Sequence, residues 1–328
     1  MGFDPAAILV SDALPNLVAT HYERQAIPNL KANTPFMGVT KQRPLPLHSG
    51  NKVQFYTYAL LASNTDPATE GSVGDPVAES TTKIAATIGQ YADFINSSDL
   101  SMEVAIDDPA LLQNLAGELN YRLALTLNKL VIITADSADA IDGDVNIDLA
   151  NGSYLTAGDI RSAVQSLKGV NARPLSADGR WGGLIHPAVV QDVLNDASAN
   201  GLTDILKRDP AGQKKLLGPL SDDDVFEFAG VRFQQTTTCP SATVDSQTKF
   251  NTYVVGEDAI FSVFLGKNPQ NGTKNYKLMI QNAPANGSSS DPARQVGGWV
   301  SYNVKYTNTL RPGTTQTLRV IESETQGA

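Results

Sequence analysis

The 328-residue sequence predicts an α+β protein, with one long helix set among many strands. Three observations carry this. Leu112, Leu115, Leu119, Leu123, Leu127 and Leu130 recur every three or four residues, which places them on one stripe of a helix. Val300, Tyr302, Val304 and Tyr306 alternate with Ser301, Asn303 and Lys305, the pattern of a half-buried strand. Glycine (26) and proline (18) are plentiful and only 18% of residues are charged; that composition favours turns and strands over a helical bundle. A hydrophobic content of 41% is enough for a substantial core, and the length suits one large domain or two modest ones.

In chain order, residues 1–50 read as an extended arm. Pro28, Pro35, Pro44 and Pro46 interrupt any long helix, and residues before proline avoid helical angles. An arm with so little core of its own needs another surface to lie on. "KVQFYTYALLA" (52–62) and "TTKIAATIGQYADFI" (81–95) read as two strands, the first rich in aromatic and β-branched residues. Between them lies "SNTDPATEGSVGDPVAES", far longer than an ordinary hairpin loop of about 2–5 residues. It is polar and carries two Asp-Pro steps, so it is either a disordered tip or a segment that docks on something.

The leucine-striped helix is expected over 109–135, with Asp108 as N-cap and Pro109 at the first helical position. At 1.5 Å per residue it would be roughly 40 Å long. Residues 136–152 read as an acidic loop. Thr156 and Asp159 then form a capping-box pattern, Ile160, Ala163, Val164 and Leu167 supply a buried helical face, and Gly169 is the expected C-terminal cap. "RWGGLIH" reads as a strand and "PAVVQDVLNDA" as a helix. The remainder is mostly β. "VFEFAGVRFQQTTT" turns at Ala229-Gly230, "NTYVVGEDAIFSVFLG" reads as a similar strand-turn-strand, and "QTLRVIES" is a last strand. No repeat of solenoid or propeller period is present.

Charge and cysteine usage narrow the function classes. The formal net charge is −9, and the densest basic stretch is Lys214-Lys215. Sequence-specific nucleic-acid binding, which needs clustered Lys and Arg, is not expected. The single cysteine, Cys239, excludes an intrachain disulfide and suggests assembly in a reducing cytoplasm. The start lacks the pattern of a signal peptide, and the longest apolar stretch, "LVIITA", is far short of a bilayer span.

Candidate chemistry is sparse. His186 stands at a predicted strand-to-helix junction. No G-x-S-x-G elbow accompanies it, and Asp192 and Asp196 lie downstream on the helix. The reading adopted is that His186 ends a strand and Pro187 starts a helix; the alternative is a hydrolase using His186. Cys239 has neither a C-x-x-C partner nor a helix N-terminus to lower its pKa. Asp142, Asp144, Asn146 and Asp148 alternate like the start of a calcium loop, but Ile147 and Ser153 stand where Gly and Glu would be needed. Asp142, Asp144 and Asp148 are therefore the metal candidates in what reads as a solvated turn. No P-loop, dinucleotide fingerprint or zinc spacing occurs, so no catalytic residue and no cofactor are expected.

Several segments, in order from about residue 20 to about 322, resemble one branch of the tailed-bacteriophage major capsid proteins of the Hong Kong 97-type fold. They include "HYERQAIPNL", "QYADFINSSDLSMEVAIDDPALL", "LTAGDIRSAVQSLKGVNARP", "GGLIHPAVVQDVL", "FAGVRFQQTTT", "VVGEDAIFSV" and "VGGWVSYNVKY". The resemblance implies an N-terminal arm (1–45), an extension-loop hairpin (46–100) and a peripheral domain (101–152) with a spine helix at 109–135. It further implies a mixed α/β axial domain (153–295) and C-terminal strands returning to the core (296–328). The loop tip would contact a neighbouring subunit through Asn64, Asp66, Glu70, Asp75 and Glu79.

The implied function is self-assembly, as hexamers and pentamers, into an icosahedral phage head around double-stranded DNA contacted non-specifically. The implied location is the virion shell, assembled in the host bacterial cytoplasm without a membrane. A separate scaffolding protein is expected, because no long N-terminal helical segment is present to serve as a fused one; a portal and possibly a cement protein would be further partners. Some shells of this fold are crosslinked through an extension-loop lysine. The tip at 63–80 contains none, so that chemistry is not expected. A bacterial nanocompartment shell (encapsulin-like) of the same fold is the alternative within this class.

Overall fold

A computed structural model describes residues 31–32, 34–61, 63–65, 67, 70, 77–98, 111–150, 152–195, 225–244, 247–266, 276–282, 296–313 and 315–325. In chain order these form a 3₁₀ turn (Pro35–Val39), β1 (Lys41–Leu45), β2 (Lys52–Tyr58), β3 (Thr81–Thr87), β4 (Gly89–Ser98) and α1 (Leu111–Asp136). There follow a second 3₁₀ turn (Ser137–Ala140), β5 (Asn146–Asp148), α2 (Ala157–Gly169), β6 (Trp181–Ile185), α3 (Pro187–Asn195), β7 (Val225–Phe228) and β8 (Val231–Gln235). The last strands are β9 (Ser241–Val244), β10 (Gln247–Val255), β11 (Ile260–Leu265), β12 (Tyr276–Asn282), β13 (Val296–Leu310) and β14 (Leu318–Glu324).

Two sheets organise the body. The 15-residue β13 is the hub of a five-stranded sheet, pairing antiparallel with β4, β11 and β12, while β1 adds parallel to β11. The alternation along β13 is the expected one: Val300, Tyr302, Val304 and Tyr306 are buried, and the leucine stripe of α1, with Leu119 and Leu123 innermost, packs on them. The second sheet runs β5-β14-β10-β6-β8-β7, with β9 on β10. Ile160, Ala163, Val164 and Leu167 of α2 and Val189 and Val193 of α3 pack in one cluster with Phe233, Val254 and Ile321 of that sheet. A third cluster joins the sheets: Val131, Ile132 and Ala135 near the end of α1 meet Phe36, Leu184, Tyr253 and Val320.

The incoming chain lies along α1. Lys31 Nζ pairs with Glu118 at 3.0 Å, the Ala32 N–H donates to Tyr121 Oη at 2.8 Å, and the Phe36 N–H donates to Asn128 Oδ1 at 3.1 Å. Asn128 is 1% exposed and its Nδ2 donates to Thr238 Oγ1 at 3.0 Å. A buried amide is tolerated inside a helix because both of its ends are satisfied. The surface the arm needs is thus, for these residues and for β1, the chain's own body.

Short-range hydrogen bonding sets several of the element ends. The Thr156–Asp159 capping box is reciprocal, with Asp159 N–H donating to Thr156 Oγ1 and Thr156 N–H to Asp159 Oδ2. Ala229 (φ 52°) and Gly230 (φ 79°) both have positive φ, the type I′ geometry that matches strand twist. The cap of α2 differs from expectation. Gly169 is the last helical residue, and the left-handed position is Asn171 (φ 56°). Ala172 N–H reaches Leu167 O and Asn171 N–H reaches Lys168 O, the paired bonds of a Schellman motif, in which Asn can stand for Gly.

Non-local pairing corrects three further expectations. Residues 81–95 are two strands, not one: β3 pairs with β2, and after Ile88 the chain enters the β13 sheet as β4. The strands β10 and β11 are not a hairpin, since the turn between them carries the chain from the seven-stranded sheet to the five-stranded one. The acidic loop contains β5, which pairs parallel with β14, because Val145 is fully buried and Ile147 packs on the core beneath it. The expected helix start at Asp108 and Pro109 lies outside the described residues; β2 ends at Tyr58, short of the expected 62.

Candidate functional site

His186 and Cys239 both have local packing or capping contacts. His186 sits between β6 and α3 as the helix N-cap: its carbonyl accepts from Val189 and Val190 N–H, and its Nδ1 accepts from Ala188 N–H at 3.2 Å. The ring stacks on Phe250 with centroids 4.1 Å apart. An Nδ1 that accepts is unprotonated, and burial lowers the imidazole pKa below its ordinary 6.5. The unfolded chain therefore takes up this proton first. The contribution of His186 to stability is full above pH 6.5 and is lost as pH falls through 6.5 toward the lower folded value. In His186→Asn, which retains a capping oxygen, this slope is expected to disappear from urea-unfolding free energies measured against pH. Cys239 is buried, and burial, with the Asp136 charge adding to it, pushes its thiol up to about 12. It stays protonated and unreactive at neutral pH.

The acids of the 136–152 segment go to separate tasks. Asp142 Oδ2 accepts from Gln316 N–H at 3.0 Å, Asp148 Oδ1 pairs with Lys249 Nζ at 2.8 Å, and Asp139 Oδ1 accepts from Asn146 N–H at 3.3 Å. Among the described residues no group of three or more His, Cys, Asp or Glu side chains is placed to hold a metal ion, so Asp142, Asp144 and Asp148 do not converge on one. No helix among the described residues is long and apolar enough to cross a membrane.

The prominent surface feature is the β2–β3 hairpin. It is a sheet of two strands only, in register from Lys52↔Thr87 to Tyr58↔Thr81. Such a ribbon is marginal alone, and its base is held by packing. Phe55 stacks on Phe261 at 4.6 Å, with Val53, Ile84 and Ile88 against the same cluster. Farther out no described residue covers it. Tyr56 is 57%, Tyr58 66% and Leu60 94% exposed, and Leu61 and Val77 are also exposed. These five are half of the ten exposed large hydrophobics among the described residues, and exposed apolar groups gathered this way mark an interaction surface. Of the tip residues singled out from the sequence, Asn64, Glu70 and Glu79 are exposed, while Asp66 and Asp75 lie outside the described residues.

Beside the hairpin runs a cleft of about 890 Å³ between β2 and the body. Arg43 of β1, Arg173 of the loop after α2 and Arg311 after β13 all line it. Sequence reading missed both this cleft and the uncovered tyrosines. Tyr56 and Tyr58 carried a signal, being large apolar residues on a strand with only one neighbour. The arginines carried none, since they come from three distant segments.

Solved structures share the fold. The capsid of Ralstonia phage GP4 superposes with a TM-score of 0.69 at 11% identity, covering 94% of this chain and 96% of that one. The capsid asymmetric unit of cyanophage Pam1 gives 0.68 at 10% identity, covering 95% and 98%. The head of Helicobacter pylori bacteriophage KHP40 gives 0.67 at 10% identity, covering 95% and 97%. The capsid fold expected from the sequence is thus the fold observed. No protein-family model matches the sequence, and no curated protein matches it.

Proposed function

We propose that this chain is the major capsid subunit of a tailed bacteriophage, assembling with itself as hexamers and pentamers into an icosahedral head around double-stranded DNA. The observation that carries the reading is the hairpin: a two-stranded ribbon with five exposed large apolar side chains, on a chain folded like capsid subunits. On this reading residues 1–45 are the arm and α1 is the spine helix of the peripheral domain. Residues 153–295 form the axial domain, 296–328 return to the core, and the extension loop is the β2–β3 ribbon within 46–100. The net charge of −9 suits a container, because a basic inner wall would hold DNA through its phosphates and hinder its release. His186 and Cys239, committed to capping and to the core, support a non-enzymatic role. A separate scaffolding protein, a portal and possibly a cement protein are the expected partners, and the mature location is the virion shell, built in the host cytoplasm.

Electron microscopy and mass photometry of the purified chain, over a range of salt and protein concentration, test the reading. Rings of five and six subunits and hollow shells are expected, with uniform closure when a scaffolding partner is coexpressed. A chain that stays monomeric under every condition overturns it. Shells that enclose a cargo enzyme instead of DNA in the native host would assign the nanocompartment role.

A further inference from the structure

We infer that the cleft at the base of the hairpin is a binding site for phosphate-class oxyanions, held by Arg43, Arg173 and Arg311. The site does not depend on the shell-subunit reading. Two of its residues are tied to one turn. Arg173 O accepts from Glu257 N–H at 2.8 Å, and Arg311 N–H donates to Ala259 O at 3.0 Å, so both backbones are fixed within two residues of each other. The ladder between β1 and β11 brings in the third, setting Arg43 opposite Val263. All three line one cleft of about 890 Å³, within the range of small-molecule sites, about 300–1,000 Å³.

The charge of the cleft is not satisfied from within. Its two carboxylates, Glu257 and Asp258, are both engaged by Lys41, whose Nζ pairs with Asp258 and lies 3.4 Å from Glu257 Oε1. Four cationic against two anionic side chains leave a net formal charge of +2. Arg173 and Arg311 make no ion pair among the described residues. Gathering like charges in this way is unfavourable without a counter-ion. Arg43 is already oriented, its Cζ 5.9 and 5.4 Å from the centroids of the stacked Phe55 and Phe261 rings. Such stacking uses the face of a guanidinium and leaves its N–H edge to donate. A carboxylate has two oxygens and suits a single guanidinium fork. A phosphate group carries about two negative charges and three acceptor oxygens. One phosphate, or a short chain of them, can therefore meet guanidinium groups that arrive from three segments.

Microscale thermophoresis of the full-length chain with sodium tripolyphosphate tests this, at constant ionic strength and below the concentration at which the chain assembles. Saturable binding is expected, weakening as salt rises. The Arg173→Gln/Arg311→Gln chain should bind about tenfold more weakly or worse, since charge-assisted hydrogen bonds are lost. Arg232→Gln removes the same kind of charge from exposed β8, outside the cleft, and should bind like the parent. Thermal unfolding without the anion should match the parent for both chains. If the double variant is less stable, Arg173→Gln and Arg311→Gln made singly carry the comparison. No saturable binding to the parent, equal affinity in the cleft variants, or an equal loss in Arg232→Gln overturns the inference, and none of these outcomes touches shell formation. A short single-stranded DNA then separates the sources of the phosphate. Binding that falls in the same variants assigns the cleft to a phosphodiester backbone, and its absence assigns the cleft to a free polyphosphate. A glutamate peptide that binds where neither phosphate ligand does would mark a carboxylate site and overturn the inference.

Discussion

Replacing residues 60–79 by Asn-Gly is expected to give a chain that folds and no longer assembles. Ala59 and Ser80 already face each other through a backbone hydrogen bond, so two residues can close the ribbon as a type I′ turn in the existing register. The base of the ribbon is untouched, because Phe55, Ile84 and Ile88 stay on Phe261 and Val263. Shortening a connection from about 20 residues to about 2 lowers the cost of closing it by roughly 2 kcal/mol. Urea unfolding should therefore be as stable as the parent or slightly more so. What is lost is the exposed Leu60, Leu61 and Val77, together with the four acids of the segment. Sedimentation of the shortened chain as a monomer, under conditions where the parent forms shells, is the expected outcome. Shells at the parent yield would remove the tip from the intersubunit contacts.

Gly256→Ala should produce a large loss of stability for a single methyl group. Gly256 is at the crossing between the two sheets, where its N–H donates to Thr317 O at 2.8 Å and Glu257 N–H donates to Arg173 O at 2.8 Å. A methyl built there would lie 2.8 Å from Arg173 O, 2.9 Å from Trp181 Cζ3 and 3.1 Å from Thr317 O. Two of these neighbours are backbone carbonyls locked into the same bonds, so the crossing itself must shift. Overpacking of this kind costs about 3 kcal/mol. Gly117→Ala is the control of opposite sign. It lies within α1 with nothing inside 4 Å of the new methyl, and helix propensity alone should stabilise by about 0.5–1 kcal/mol. Paired urea titrations that move both variants in the same direction would contradict this account.

The sequence showed what is decided within a few residues. The leucine stripe of α1, the Thr156–Asp159 box, the Ala229-Gly230 turn and the alternation of β13 rest on local periodicity and hydrogen bonding, and all stand in the structure. It did not show where strands find partners. Nothing local distinguishes the break at Ile88 from a continuing strand, or the turn at 256–259 from a hairpin, because each is settled by competition among distant edges. The three-residue β5 is too short to announce itself and exists through its pairing with β14. The cleft follows the same rule, as Arg43, Arg173 and Arg311 are adjacent only after β1, α2 and β13 have packed.

The single-residue step between β3 and β4 has a mechanical meaning. Ile88 is pinned, its N–H donating to Asn51 O at 2.8 Å and its side chain packing beside Phe55. It acts as a fulcrum for the ribbon. Beyond it β4 is clamped to β13 by ten residue pairs, and β13 carries the side chains on which α1 rests. A tug on the ribbon is therefore not absorbed by a slack linker. Its component along β4 loads those ten pairs in shear, all at once, where a peeling load would break them one by one. Traction from a neighbour in a lattice would reach the long helix as torque.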